Sequence, residues 1–125
     1  MEVFGYRKLI AYQKAKEVVN RTYKLLKKFP SEERYAMCDQ LRRASISISS
    51  NIAEGVNRYS VKDKAHFIDM AYGSLMETYS ELETAADLGY ITEDEVRNIK
   101  PQIIDIGKML SGLRTSILNA KSDNH

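Results

Sequence analysis

The sequence predicts an all-α protein, an antiparallel up-down-up-down four-helix bundle, and three observations lead to it. Apolar residues recur at mixed three- and four-residue spacing along the chain, which is the signature of amphipathic helices. No stretch carries an alternation that reads as a strand once its flanks are considered. Stop and start signals divide the 125 residues into four helical stretches joined by short connections, and short connections force neighbouring helices to run antiparallel. The length fits one domain, residues 1–125, long enough to bury a core.

The first helix is expected over about 6–29. Ala11, Ala15, Val18, Thr22, Leu25 and Phe29 form one stripe, and Tyr12, Val19 and Leu26 form a second beside it. Two adjacent stripes are wider than a narrow bundle seam needs, so part of the face is either broad core or a subunit contact. Pro30 stops this helix, and Ser31-Glu32-Glu33 starts a second over about 32–56. Cys38, Leu41, Ser45, Ile48 and Ile52 share its inner line, and Gly55 with Asn57-Arg58 ends it. The alternating Ser45–Asn51 stretch sits inside this longer helical pattern and reads as helix, its small side chains permitting a close neighbour. Ser60 caps a third helix over about 61–88, with Asp63 at the capping-box position. Ile68, Ala71, Leu75, Tyr79, Leu82 and Ala86 form its inner line, and Gly89 suits the left-handed residue after a helix. Thr92-Glu93-Asp94-Glu95 opens a fourth helix over about 93–119, carrying Val96, Ile99, Ile103, Ile106, Leu110, Leu113 and Ile117. Pro101 lies about two turns inside and is expected to kink it or mark a false start; residues 120–125 are expected to fray.

Composition removes several function classes. One Cys excludes an internal disulfide and a Cys-based zinc site, and fits a reducing compartment, so a cytoplasmic location is expected. No run approaches the roughly 20 apolar residues of a membrane span, no secretory leader is evident at the start, and no membrane partner is expected. A di-metal bundle centre needs Glu-x-x-His from two helices, and the chain offers only the weak analogue Asp63-Lys64-Ala65-His66, so no metal is expected. Cys38 falls on an apolar line and reads as a packed thiol. The serines lack a nucleophile elbow, the glycines occur singly, and Glu77 with Glu81 reads as a solvated carboxylate pair. No catalytic residue and no cofactor are assigned; the protein is expected not to be an enzyme.

Charge is more informative than its total. The formal net charge is +2, yet residues 1–30 hold eight Lys/Arg and two acids, whereas residues 61–90 hold two Lys and six acids. Arg7, Lys14, Arg21 and Lys28 are spaced by seven and align along one flank of the first helix, with Lys24 beside them. Most such runs are solvated faces. Here the stripe also suits a phosphate backbone, or the acidic third helix of a neighbouring subunit in a head-to-tail contact. Tyr59, next to Arg58, is the one tyrosine in a setting that suits base stacking.

The segment Gln40-Leu41-Arg42-Arg43-Ala44-Ser45-Ile46-Ser47-Ile48-Ser49-Ser50-Asn51-Ile52-Ala53-Glu54-Gly55, then Asn57-Arg58-Tyr59-Ser60, Ala71-Tyr72-Gly73-Ser74-Leu75, Glu81-Leu82-Glu83 and Leu88-Gly89-Tyr90, resembles the four-helix-bundle family encoded within intervening sequences of bacterial 23S ribosomal RNA genes. Phe4, Leu9, Ala15 and Phe29-Pro30 ahead of the Glu pair are similar as well. Two positions depart: Tyr12 stands where the family usually has Trp, and Ser49 where it usually has Pro. The first keeps an aromatic anchor, and the second removes an irregularity from the second helix. The resemblance implies a bundle assembled as a ring-like homopentamer without catalytic activity. A similar bundle is the accessory protein of diversity-generating retroelements, a basic pentameric ring that associates with reverse transcriptase and nucleic acid. The resemblance thus implies RNA, or a nucleic-acid-processing protein, as a partner beside the chain itself.

Read from its residues, the motif Ser50-Asn51-Ile52-Ala53-Glu54-Gly55 places polar groups at helical distances around small ones, and Glu54 can pair with Arg58 one turn on. Its plainer role is to fix bundle geometry and a subunit contact; its functional role would be to present Arg42, Arg43 and Arg58 to phosphates. The expected function is a non-enzymatic oligomeric bundle acting as a nucleic-acid-associated accessory or scaffold, with Arg7, Lys14, Arg21, Lys24 and Lys28 as primary contacts. The alternative is a protein-only oligomeric adaptor.

Overall fold

The structure, a computed structural model, describes residues 3–123. Among them lie four α-helices, two short 3-10 turns and no strand. The helices are α1 (Ile10–Leu26), α2 (Met37–Val56), α3 (Val61–Asp87) and α4 (Glu93–Asp123); the 3-10 turns are Gly5–Lys8 and Ser31–Glu33. Each helix packs on two others: α1 on α2 and α4, and α3 on the same pair, so α1 and α3 face one another across the core.

Four boundaries differ from the sequence expectation, each for a local reason. The first helix divides: Leu9 is extended (φ −71°, ψ 129°), and this separates the 3-10 turn carrying Arg7 from α1. Downstream, Lys28 and Phe29 donate backbone N–H groups to Leu25 and Leu26 and tighten the chain into a turn before Pro30. The second helix also divides: Ser31–Glu33 makes only a 3-10 turn, and α2 begins at Met37 after Ala36 leaves helical geometry (φ −119°, ψ −98°). Pro101 does not interrupt α4. Both Pro101 and Arg97, the residue whose carbonyl loses its helical partner, are exposed, so water can satisfy that carbonyl. Residues 120–123 continue α4 where fraying was expected; Asn124 and His125 lie outside the described residues.

The caps explain the other ends. Ser60 accepts from the Asp63 amide at 3.0 Å and starts α3. Thr92 Oγ1 accepts from the Glu95 amide at 3.1 Å while Glu95 accepts from the Thr92 amide at 2.9 Å, a reciprocal capping box. After α3, Gly89 adopts φ 81°, its amide reaches the Ala86 carbonyl, and the Tyr90 amide reaches Ala85, a Schellman stop.

The core is aliphatic. Val18, Leu41, Ile48, Ile52, Ile68, Leu75, Leu82, Ile99, Ile106 and Leu110 are all but fully buried, and each such side chain contributes about 1.5–3 kcal/mol through lost apolar hydration. Leu25, Tyr79 and Ala86, placed on inner lines by spacing, are half-buried, while Leu26, Thr78 and Ala85 take the deeper positions. In α2 the small residues Ala44, Ser45 and Ser49 are buried, and the two serines return their hydroxyl protons to the carbonyls of Arg42 and Ile46. Serine inside a helix costs less when its hydroxyl is satisfied this way.

Candidate nucleic-acid interface

The cations expected to form one stripe divide into three sets. Arg21 and Lys28 lie against α4. Arg21 donates to Gln102 Oε1 at 2.7 Å and to the Asn98 carbonyl at 3.3 Å, and Lys28 pairs with Glu95. That pair and the Thr92 cap together hold the Glu95 carboxyl below the ordinary carboxylate range. Lys14 and Lys24 make no hydrogen bond or ion pair among the described residues, and Lys24 is exposed. Arg7 is not on α1 at all. It sits on the preceding 3-10 turn with its guanidinium 5.0 Å from the centre of the Phe4 ring.

The arginines of α2 also differ among themselves. Arg42 pairs with Asp39 at 2.6 Å and reaches back toward the Arg34 carbonyl. Arg43 is exposed and unpaired among the described residues. Arg58 donates to Glu54 at 3.0 Å and lies 4.4 Å from the centre of the Phe67 ring, so carboxylate and aromatic face together aim it.

The six residues of the motif divide between the core, the contact with α3, a bond within the helix and one wall of a groove. Ile52 is fully buried and fills the core. Gly55 lets α3 approach: a Cβ there would stand 2.9 Å from Phe67 Cβ and 3.3 Å from Ile68 Cδ1. Asn51 donates to the Ser47 carbonyl at 2.9 Å. Ser50, Ala53 and Glu54 turn away from α3 and form one wall of an open groove. The opposite wall is Tyr6, Tyr12, Lys16 and Val19, and Ile46 and Ser49 extend the α2 side. This groove, about 320 Å³, continues through Tyr6, Ala53 and Glu54 into a wider one of about 590 Å³ lined by Val3, Phe4, Asn57, Arg58 and Tyr59. Asn57 holds the rim by donating to the Val3 carbonyl at 2.8 Å. Tyr6 meets Tyr12 edge-on at 5.0 Å between ring centres.

Sequence reading singled out Arg58, Tyr59 and the motif but missed this groove, which Arg58, Tyr59, Ala53 and Glu54 help to line. The missed wall is Val3–Tyr6 and Lys16. Two aromatics ahead of a helix start, Phe4 and Tyr6, were the available signal, yet only the extended Leu9 folds them back onto α2.

Elsewhere the titratable groups form pairs, such as Tyr90 donating to Glu33 at 2.8 Å and Arg114 to Asp69 at 2.7 Å, or stand inside the bundle. Burial pushes the Cys38 thiol above its ordinary range, and the side chain is only 4% exposed. Burial also pushes the Glu81 carboxyl upward, with neighbouring Glu77 acting in the same sense, and Glu81 Oε2 is buried with no hydrogen-bond partner. Among the described residues no three His, Cys, Asp or Glu side chains converge to hold a metal ion, and no helix is long and apolar enough to cross a membrane.

No curated protein matches this chain. Among solved structures, the crystal structure of a protein of unknown function from the S23 ribosomal protein family of Bacteroides thetaiotaomicron is similar, with a TM-score of 0.76 and 26% identity over 84% of this chain and 98% of that one. The sequence model of the 23S rRNA-intervening sequence proteins matches residues 7–112. That span takes in α1, the small-residue face of α2 with its motif, all of α3 and the apolar line of α4 through Leu110, and by it the chain belongs to the 23S rRNA-intervening sequence protein family.

Proposed function

We propose that the protein is a non-enzymatic helical bundle that works as a homo-oligomer in the cytoplasm and associates with nucleic acid as an accessory or scaffold. The observation that carries this reading is the separation of charge. Lys14 and Lys24 on α1, Arg7 before it and Arg43 on α2 have no carboxylate partner among the described residues. The acids of α3 lie across the core from α1 and do not neutralise it. Unneutralised cations at the surface suit a phosphate backbone. The helices are read as up-down-up-down, because Glu17, Arg21 and Lys28 meet Gln102, Asn98 and Glu95 in descending order and Asn57 at the end of α2 reaches Val3. A homopentameric ring is favoured; it would repeat the weak basic face of one subunit and raise its avidity.

Arg21 and Lys28 speak for the second reading, a protein-only oligomeric adaptor, because they are spent on α4 and present less charge outward. A titration with structured RNA at two salt concentrations separates the two. Phosphate-driven binding weakens as salt rises, and replacing Lys14 and Lys24 by Ala weakens it on every sequence and flattens the salt slope by roughly one per lost contact. Absence of binding at low salt overturns the nucleic-acid reading and leaves the adaptor. Light scattering behind size exclusion tests the assembly, and a monomer at micromolar concentration overturns it.

A further inference from the structure

We propose that the continuous groove between the Val3–Tyr6 segment, α1 and the C-terminal half of α2 takes an unpaired segment of nucleic acid, with bases stacked on Tyr59 and Phe4 and backbone phosphates held by Arg58 and Lys16. This rests on the nucleic-acid reading above and goes beyond it, because the groove is a different surface from the Lys14–Lys24 flank and selects a different form of ligand.

Four observations meet here. Tyr59 is 101% exposed and Phe4 is 53% exposed, and both line the wider groove. A ring held fully in water in the short connection between α2 and α3 gains nothing for the fold, but it offers a flat face to a base. Arg58 is already aimed by Glu54 and the Phe67 ring, and because both members of the ion pair are about half exposed to water, Arg58 can exchange this carboxylate for a phosphate with little loss of freedom. Lys16 stands at the narrow end and Arg7 behind Phe4, so cations alternate with aromatic rings along the path. Glu54 is the one carboxylate among the lining residues of both parts, and it is paired with Arg58. An acidic peptide would meet the cations but leave Tyr59 and Phe4 without planar partners. A duplex would meet the cations but keep its base faces stacked internally.

The test uses the full chain, a fluorescein-labelled single-stranded RNA of about a dozen nucleotides, in line with single-strand site sizes, and the matching duplex, both at low salt. The single strand is expected to bind more tightly than the duplex. Tyr59→Ala should weaken single-strand binding by about tenfold, within the range for loss of one stacked base, and leave the duplex unchanged. Tyr59→Trp should keep the affinity, and because the chain has no Trp of its own, its emission reports stacking directly by quenching on binding. Equal affinity for both forms, or a Tyr59→Ala protein that binds the single strand normally, overturns the groove while leaving the α1 reading in place. Single-strand binding that survives Lys14→Ala and Lys24→Ala but is lost in Tyr59→Ala supports the groove and removes the α1 flank. If Tyr59→Ala instead breaks the oligomer without changing RNA affinity, the groove holds a second copy and the proposal fails.

Discussion

At the residue scale, two glycines of the same protein carry opposite predictions. Gly55 stands where α2 meets α3, and an added methyl would overlap Phe67 Cβ, an atom fixed to the backbone of the facing helix. Gly55→Ala should therefore destabilise by about 1–3 kcal/mol, as overpacking does. Gly73 lies in mid-α3 with nothing within 4 Å of an added Cβ. Gly73→Ala should stabilise by about 0.5–1 kcal/mol, through reduced backbone freedom of the unfolded chain. Thermal melts followed by circular dichroism should move by several degrees in opposite directions. Glu81 supplies a pH signature. Its folded carboxyl is pushed above the ordinary range by burial and by Glu77, so its contribution favours the fold below the unfolded carboxylate pKa and is lost as pH rises through the raised one. Glu81→Gln removes that loss. The variant should melt higher than the parent at pH 7, and the gap should close as the pH is lowered toward 4.5, the ordinary value.

At the scale of elements, the sequence made most helices legible and hid the places where the backbone leaves helical geometry. Ser60, Gly89 and the Thr92–Glu95 box are side-chain or glycine signals, and each acts where it stands. The breaks at Leu9 and Ala36 carry no such signal. Both residues favour helix by propensity, yet both leave helical backbone geometry, so local preference alone does not set these two boundaries. Loss of Arg7 from α1 follows from the first break, and a heptad count cannot register it. Pro101 shows the reverse error: its residue type argues for a break, yet α4 runs through it on an exposed face where the orphaned carbonyl can be hydrated. The cost is therefore paid within a continuous helix. Pro101→Ala should restore one backbone bond and raise stability by about 1–3 kcal/mol, read as a higher urea midpoint with an unchanged denaturant slope.

For the whole molecule, helix count and most of the inner lines were accessible because they depend on periodicity alone. The groove was not, because it joins residues more than fifty positions apart, such as Val3 and Asn57. The charge segregation was visible along the chain, but its meaning waited on knowing that α1 and α3 stand on opposite sides of the core. Had they been neighbours, basic and acidic faces would have cancelled within the chain. Their separation keeps the cations of α1 and the acids of α3 apart, and Asp69 of α3 pairs with Arg114 of α4 instead.

Cys38 has a practical consequence of its own. A lone thiol in the first turn of α2, 4% exposed and pushed above its ordinary range by burial, should resist alkylating reagents until that turn opens. The native chain thus contains its own stopwatch. Labelling should be slow in buffer and rapid in urea, and at saturating reagent its rate becomes the opening rate of the α2 start, recorded by mass spectrometry without any introduced probe.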